Sequence, residues 1–248
     1  AEVYINGKLL GVHPYGYTPF SYDLTPYLKL NGKNVLFVRV DNSMQKNSRW
    51  YSGSGIYRHV SMVVTNPIHM AQWGVTVTTP NVSTKKATVI VKTLVKNETG
   101  LPQNVSLKTT LWNKNSIKSG DNQLVVQLPA NSEKEVEQTI QVDNPLLWTP
   151  ETPNLYQAEV RIEKNKKSID DVKTNFGIRS IKFTTENGFQ LNGKMVKMNG
   201  GCVHHDNGCL GAAAFDRAEE RRVEILKSAG FNAIRTSHNP PSEAFLDA

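Results

Sequence analysis

The sequence predicts a multidomain, mainly β chain that closes with the opening of an α/β fold, and three observations carry that prediction. Asn6-Gly7 and Asn192-Gly193 each stand between apolar runs, and Asn-Gly is the dipeptide best suited to the positive φ angles of a two-residue hairpin turn. From residue 68 onward, short β-type runs recur about every 8 to 12 residues with turn residues between them, the pattern of an immunoglobulin-like sandwich. After Arg179 the order changes to strand, helix, strand. The boundaries this implies are 1–66 for part of a jelly-roll or similar sandwich, 67–177 for the immunoglobulin-like β-sandwich, and 178–248 for the first βα units of a barrel or an open α/β sheet.

In the first segment, Val3-Tyr4-Ile5 and Leu9-Leu10-Gly11 flank the Asn-Gly turn, and residues 17–24, 34–41 and 57–64 continue the β pattern. Residues 34–41 are apolar on both faces, which places that strand inside a sandwich. These residues are too few for an eight-stranded sandwich, so one sheet is expected upstream. Asn66-Pro67 breaks the pattern. The sandwich strands are expected at 74–78, 87–96, 105–112, 122–128, 134–142 and 156–164, with 174–178 as a seventh. In the last segment, residues 189–191 and 196–198 bracket the second Asn-Gly turn, and the chain runs on into Gly200-Gly201-Cys202-Val203-His204-His205-Asp206. Asp216 with Glu219 three residues on reads as a capping box for a helix that Gly230 ends. Residues 231–236 form the next strand, and a helix starts near Ser242 after Pro240-Pro241.

Composition excludes several classes. Apolar residues are 38% and charged residues 21%, an ordinary globular balance with no mark of disorder. No apolar run approaches the roughly 20 residues of a membrane-spanning helix. The net charge of +7 is spread thinly, with no basic stripe interleaved with aromatics, which argues for a solvated surface over a nucleic-acid track. Cys202 and Cys209 make no disulfide framework and lack the paired spacing of a zinc site. The sequons at Asn81, Asn97 and Asn104 matter only in a eukaryotic secretory setting. The chain opens on AEVYING, a strand already under way, so compartment stays open between bacterial periplasm and cytoplasm.

In β/α folds the site lies at the carboxyl ends of the parallel strands. Two segments fall there: His204-His205-Asp206 and Ser237-His238-Asn239, both rich in groups that hydrogen-bond sugar hydroxyls. Neighbours on an extended strand face opposite ways, so His204 and His205 are poorly placed to grip one metal ion, and no metal site is assigned. Arg235, inward on the second strand, calls for a carboxylate partner that nearby residues do not supply. Trp50, Tyr51 and Tyr57 read as core aromatics in preference to sugar-stacking platforms.

At NAIRTSHNPPS (232–242) the sequence resembles the second-barrel-strand signature of glycoside hydrolase family 2, N-x-x-R-x-S-H-x-P. SRWYSGSGIYRHV (48–60), LLWTPETPNLY (146–156), FGIRSI (176–181) and GGCVHHDNGCLGAA (200–213) fit the same family in the same order, with the wording of its β-galactosidase branch. The resemblance implies a jelly-roll sugar-binding domain, an immunoglobulin-like sandwich and a catalytic (β/α)8 TIM barrel. It also implies a retaining mechanism with two glutamates roughly 5 Å apart, both after later barrel strands and so outside these residues. Glu219, Glu220, Glu224 and Glu243 fall on helices and are expected to face away from the barrel mouth, which makes this stretch inactive alone. By the same resemblance His204, Asp206, Arg235, His238 and Asn239 are substrate-binding, with no catalytic residue in the chain.

No cofactor is implied; a divalent or sodium ion in the longer enzyme would take its ligands from elsewhere. The partner is a carbohydrate, with no nucleic acid and no membrane, and a homo-oligomer is compatible with the family. Many members carry an aspartate where Arg49 stands, and a guanidinium there would favour a uronic acid or sulfate, so galactoside, glucuronide and mannoside stay open in that order. The rival class is a non-catalytic carbohydrate-binding or adhesion β-sandwich protein.

Overall fold

The computed structural model describes residues 1–44, 53–213 and 215–248. Arg49, Trp50 and Tyr51 therefore lie outside the described residues. The chain divides into two compact units: residues 1–61 together with 198–248, and residues 62–197.

The first unit begins with β1 (Glu2–Ile5) and β2 (Lys8–Val12), joined by Asn6 and Gly7 at φ 51° and 82°. Both central residues are left-handed, as the Asn-Gly turn requires. β3 (Leu36–Arg39) pairs antiparallel with β1 on its other side, giving the order β2-β1-β3. Val3 and Ile5 are buried, but Val35, Leu36 and Phe37 are 53%, 47% and 57% exposed, so the expected burial of 34–41 on both faces is not found. Among the described residues β3 is an edge strand, paired with β1 alone. Residues 17–24 form no strand either: Pro19 lacks an N–H for a ladder, and Phe20 stacks on His13 with ring centroids 4.5 Å apart. Nor do residues 57–64, where Val60, Met62, Val63 and Val64 are 60% or more exposed and the Arg58 and His59 side chains are engaged elsewhere.

The second unit is a β-sandwich. One sheet orders β4 (Ile68–Val82), β5 (Lys86–Asn97) and β8 (Ser132–Asp143). The other runs β10 (Lys167–Gly177), β9 (Leu155–Lys164), β6 (Gln103–Trp112) and β7 (Lys118–Leu128). Alternate residues of the strands meet in the core, among them Val89, Val91, Leu107, Leu111, Val126, Val160 and Ile162. A buried Gln138 in that core accepts from the Thr109 hydroxyl at 2.6 Å and donates to the carbonyls of Asn122 and Leu107, so its polarity is satisfied. β11 (Ile181–Thr184), β12 (Gly188–Leu191) and β13 (Lys194–Met195) form a small antiparallel sheet around the second Asn-Gly turn. Its last strand lies nearer the turn than the expected 196–198.

On the outer face of the four-stranded sheet, Glu159 is 7% exposed. It accepts from Arg161 at 2.6 Å and from the Trp112 indole at 3.1 Å, with Lys173 at 3.8 Å. Burial is the largest single effect on this carboxyl and pushes its pKa up, but the Arg161 and Trp112 hydrogen bonds with the two cationic charges together hold it below the ordinary carboxylate range. A depressed folded pKa stabilises above the unfolded value, about 4.3, and that stabilisation is lost as pH falls through the folded pKa. Glu159→Gln is therefore expected to lower the urea midpoint at pH 7 and to differ less from wild type at pH 3. An equal gap at both pH values would refute the assignment.

The first unit resumes with β14 (Gly200–Val203), α1 (Asp216–Ser228), β15 (Ala233–Thr236) and the short α2 (Glu243–Asp247). The N-cap of α1 is Phe215, not Asp216, and it makes no side-chain cap; Asp216 sits in the first turn and its carboxylate takes His59 Nε2 at 2.9 Å. The far end matches a Schellman motif: Gly230 is at φ +90°, its N–H reaches the Lys227 carbonyl, and the Phe231 N–H reaches that of Leu226. α2 is capped by Ser242, whose hydroxyl accepts from the Phe245 N–H at 3.2 Å.

Candidate active site

β14 and β15 pair in parallel, Cys202 opposite Arg235 and Val203 opposite Thr236, so the two strands end at the same level. A side chain at Gly200 would run into the Ala233 carbonyl, so this close pairing needs glycine there. The Ser237 N–H continues the ladder to the Val203 carbonyl at 2.8 Å. The next residues of each strand, His204-His205-Asp206 and His238-Asn239, thereby emerge side by side.

His204 and His238 meet edge to face, ring centroids 5.9 Å apart. Arg235 is exposed and lies along the second strand: it donates to the Ser237 hydroxyl at 3.0 Å and touches His238 Nδ1 at 3.4 Å and the Cys202 sulfur at 3.5 Å. A guanidinium offers only donors, so in this contact His238 Nδ1 is the acceptor. No carboxylate pairs with Arg235 among the described residues. The Ser237 hydrogen bond, then that of Arg235, holds the Cys202 thiol below its ordinary pKa.

His205 turns the other way, against the Tyr17 ring at 4.9 Å. Asn239 is 7% exposed, donating to His205 Nδ1 at 2.9 Å and accepting from the Tyr15 hydroxyl at 3.3 Å. Of the five residues singled out in the sequence, His204, His238 and Arg235 are thus brought together, and Asn239 sits beneath them in a structural chain. Asp206 is half-buried on the first loop and its backbone carbonyl, with that of His204, accepts from Arg222 at 2.6 and 2.7 Å. Arg222 also lies 3.9 Å from Glu219, which is itself buried. An arginine with so little exposure requires a compensating charge, and Glu219 supplies it.

Tyr15, Tyr17, Arg58 and Arg222 escaped the sequence reading. Arg58 donates to the carbonyls of Pro240 at 2.7 Å and Pro241 at 3.3 Å. Tyr57 is half-buried as a packing residue would be, its ring 6.5 Å from that of Tyr17; burial raises its pKa, and its buried hydroxyl finds no hydrogen-bond partner among the described residues. The space enclosed beneath the two loops, lined by His204, His205, Glu219, Arg222, Asn239 and Phe245 among others, is about 20 Å³. That is room for one water and not for a sugar, so it is a joint and not a pocket. Among the described residues no three His, Cys, Asp or Glu side chains gather to hold a metal ion.

Comparison with known proteins matches these parts separately. The model of glycosyl hydrolases family 2 fits residues 69–179, and that of the family 2 TIM barrel domain fits residues 182–248. Beta-galactosidase BoGH2A of Bacteroides ovatus is 46% identical over 247 residues, which is 100% of this chain and 29% of the relative. The crystal structure of a family 2 member from Bacteroides cellulosilyticus superposes with a TM-score of 0.96 at 46% identity, covering 99% of this chain and 34% of that one. The Bacteroides uniformis beta-glucuronidase structure gives 0.92 at 32% identity, covering 99% and 31%. The chain spans about a third or less of the length of these relatives. Since the sandwich and the strand-helix-strand segment that carries both histidine loops each match a model of one family, the chain belongs to glycosyl hydrolase family 2.

Proposed function

We propose that this chain is part of a longer retaining exo-β-glycosidase, a β-galactosidase before a β-glucuronidase or β-mannosidase, and that His204, Arg235 and His238 form one side of its sugar subsite, with Asp206 and Asn239 on the loops that carry the two histidines. In this reading residues 1–66 are the end of a jelly-roll sugar-binding domain, 67–177 the sandwich, and 178–248 the opening of the barrel. The observation that carries the proposal is the convergence of His204, His238 and Arg235 at the carboxyl ends of two adjacent parallel strands, where β/α enzymes keep their chemistry. Galactoside stands first because the 46% identical relative is named a beta-galactosidase, against 40% for a relative from Formosa agariphila named a putative beta-glucuronidase.

The acid/base and nucleophile glutamates lie outside this stretch in the proposal. Its own glutamates on α1 are already committed, Glu219 beside Arg222 and Glu220 and Glu224 to Arg217. A panel of p-nitrophenyl galactoside, glucuronide and mannoside tests it. The full-length protein is expected to cleave the β-galactoside fastest with retention at the anomeric carbon, and residues 1–248 alone to cleave none. Turnover of no glycoside by the full-length protein, or inversion, would overturn the reading.

A further inference from the structure

We propose that Arg58 is a positioning residue, which sets the His238 loop from a part of the chain far outside the strand-helix-strand segment; the inference rests on the sugar-site reading above. The loop from Ser237 to Ser242 has an unusual shortage of donors. Its Ser237 N–H is used by the Val203 carbonyl, and Pro240 and Pro241 have no N–H at all. Two consecutive residues whose backbone can only accept are fixed by the protein only where a donor comes from elsewhere. The Arg58 guanidinium supplies it as a fork, one nitrogen on each carbonyl, at 2.7 and 3.3 Å. These contacts join residues more than 180 apart in sequence.

The first loop is held in the same manner. Arg222 places one nitrogen on the His204 carbonyl and the other on that of Asp206. Each candidate sugar-binding histidine therefore stands on a loop whose backbone is gripped by an arginine fork, and neither guanidinium is needed by the ring itself. The difference is origin. Arg222 comes from the helix between the two strands, whereas Arg58 comes from a segment before the sandwich, remote in sequence from both. Tyr15 works beside it, fixing Asn239 by one hydrogen bond. Aim of the His238 ring then depends on Arg58, and an error of about 1 Å in such a group can lower turnover on the order of a hundredfold.

The test uses the full-length protein with Arg58→Ala and Arg58→Lys. Lysine keeps the charge but has no planar fork with a separate nitrogen for each carbonyl, so it guards against an alanine variant that fails to fold. Expected are a fall in kcat of about tenfold to a hundredfold with KM changed far less, partial recovery of Arg58→Ala by millimolar guanidinium, and faster backbone hydrogen exchange in residues 237–246. Exchange in that segment equal to wild type, with kcat within twofold, overturns the inference. The exchange measurement needs no turnover, so a wild-type protein that cleaves no glycoside sinks the sugar-site reading while the loop's dependence on Arg58 is still decided.

Discussion

His238→Ala in the full-length protein is expected to lower kcat/KM on p-nitrophenyl β-galactoside at least about tenfold, equivalent to about 1.4 kcal/mol of lost transition-state stabilisation. The ring is exposed at the carboxyl end of its strand, stands against His204, and takes Arg235 at Nδ1. A hydroxyl contact that tightens as the sugar ring distorts acts on kcat as well as KM. Because so little of His238 is packed, thermal stability should stay within about 0.5 kcal/mol of wild type. Asn239→Ala is the contrasting case: that side chain is buried between Tyr15 and His205, and its loss should reduce stability together with activity. Unchanged kinetics for His238→Ala would remove the residue from the site.

What the sequence disclosed and what it hid follow from how local each cause is. The hairpins at Asn6-Gly7 and Asn192-Gly193, the Gly230 helix stop and the Ser242 cap are set by a residue's own backbone preference, and all four stand where the sequence puts them. β10 was expected to begin at 174 yet begins at Lys167, because its turn is made by Asn165 and Lys166 at φ 52° and 62°, and lysine gives no turn signal. Asp216 looked like a cap because the capping pattern is local, but His59, remote in sequence, takes its carboxylate. The histidine loops were legible since position after a strand is a topological rule. Their supports were not: Arg58, Tyr15 and Tyr17 reach them across more than 180 residues. No periodicity encodes a contact of that kind.

Asn97→Ala is expected to produce the largest loss of stability among the substitutions considered. Asn97 ends β5, is 1% exposed, and heads an N-x-T sequon that would be read as a glycosylation acceptor. Its burial excludes that in the folded chain. Nδ2 instead donates to the Pro129 carbonyl at 2.7 Å and the Leu101 carbonyl at 3.0 Å, with Leu128 at 3.4 Å, and Oδ1 accepts from the Thr99 N–H and hydroxyl at 3.0 and 2.6 Å. The amide thus ties the β5–β6 connection to the β7–β8 connection, the two places at this end of the sandwich where the chain passes from one sheet to the other. Alanine leaves the buried Leu128 carbonyl and the part-buried Pro129 carbonyl and Thr99 N–H without this amide, at about 1–3 kcal/mol for a group that water does not reach. A total near 3 kcal/mol corresponds to a fall on the order of 10 °C in the melting of a unit this size. Asn97→Asp separates the two halves of the amide: it keeps the acceptor for Thr99 but sets a carboxylate against three carbonyls, so it should be at least as damaging as alanine. Calorimetry showing Asn97→Ala within about 2 °C of wild type would mean that water replaces the amide and that the crossovers hold without it.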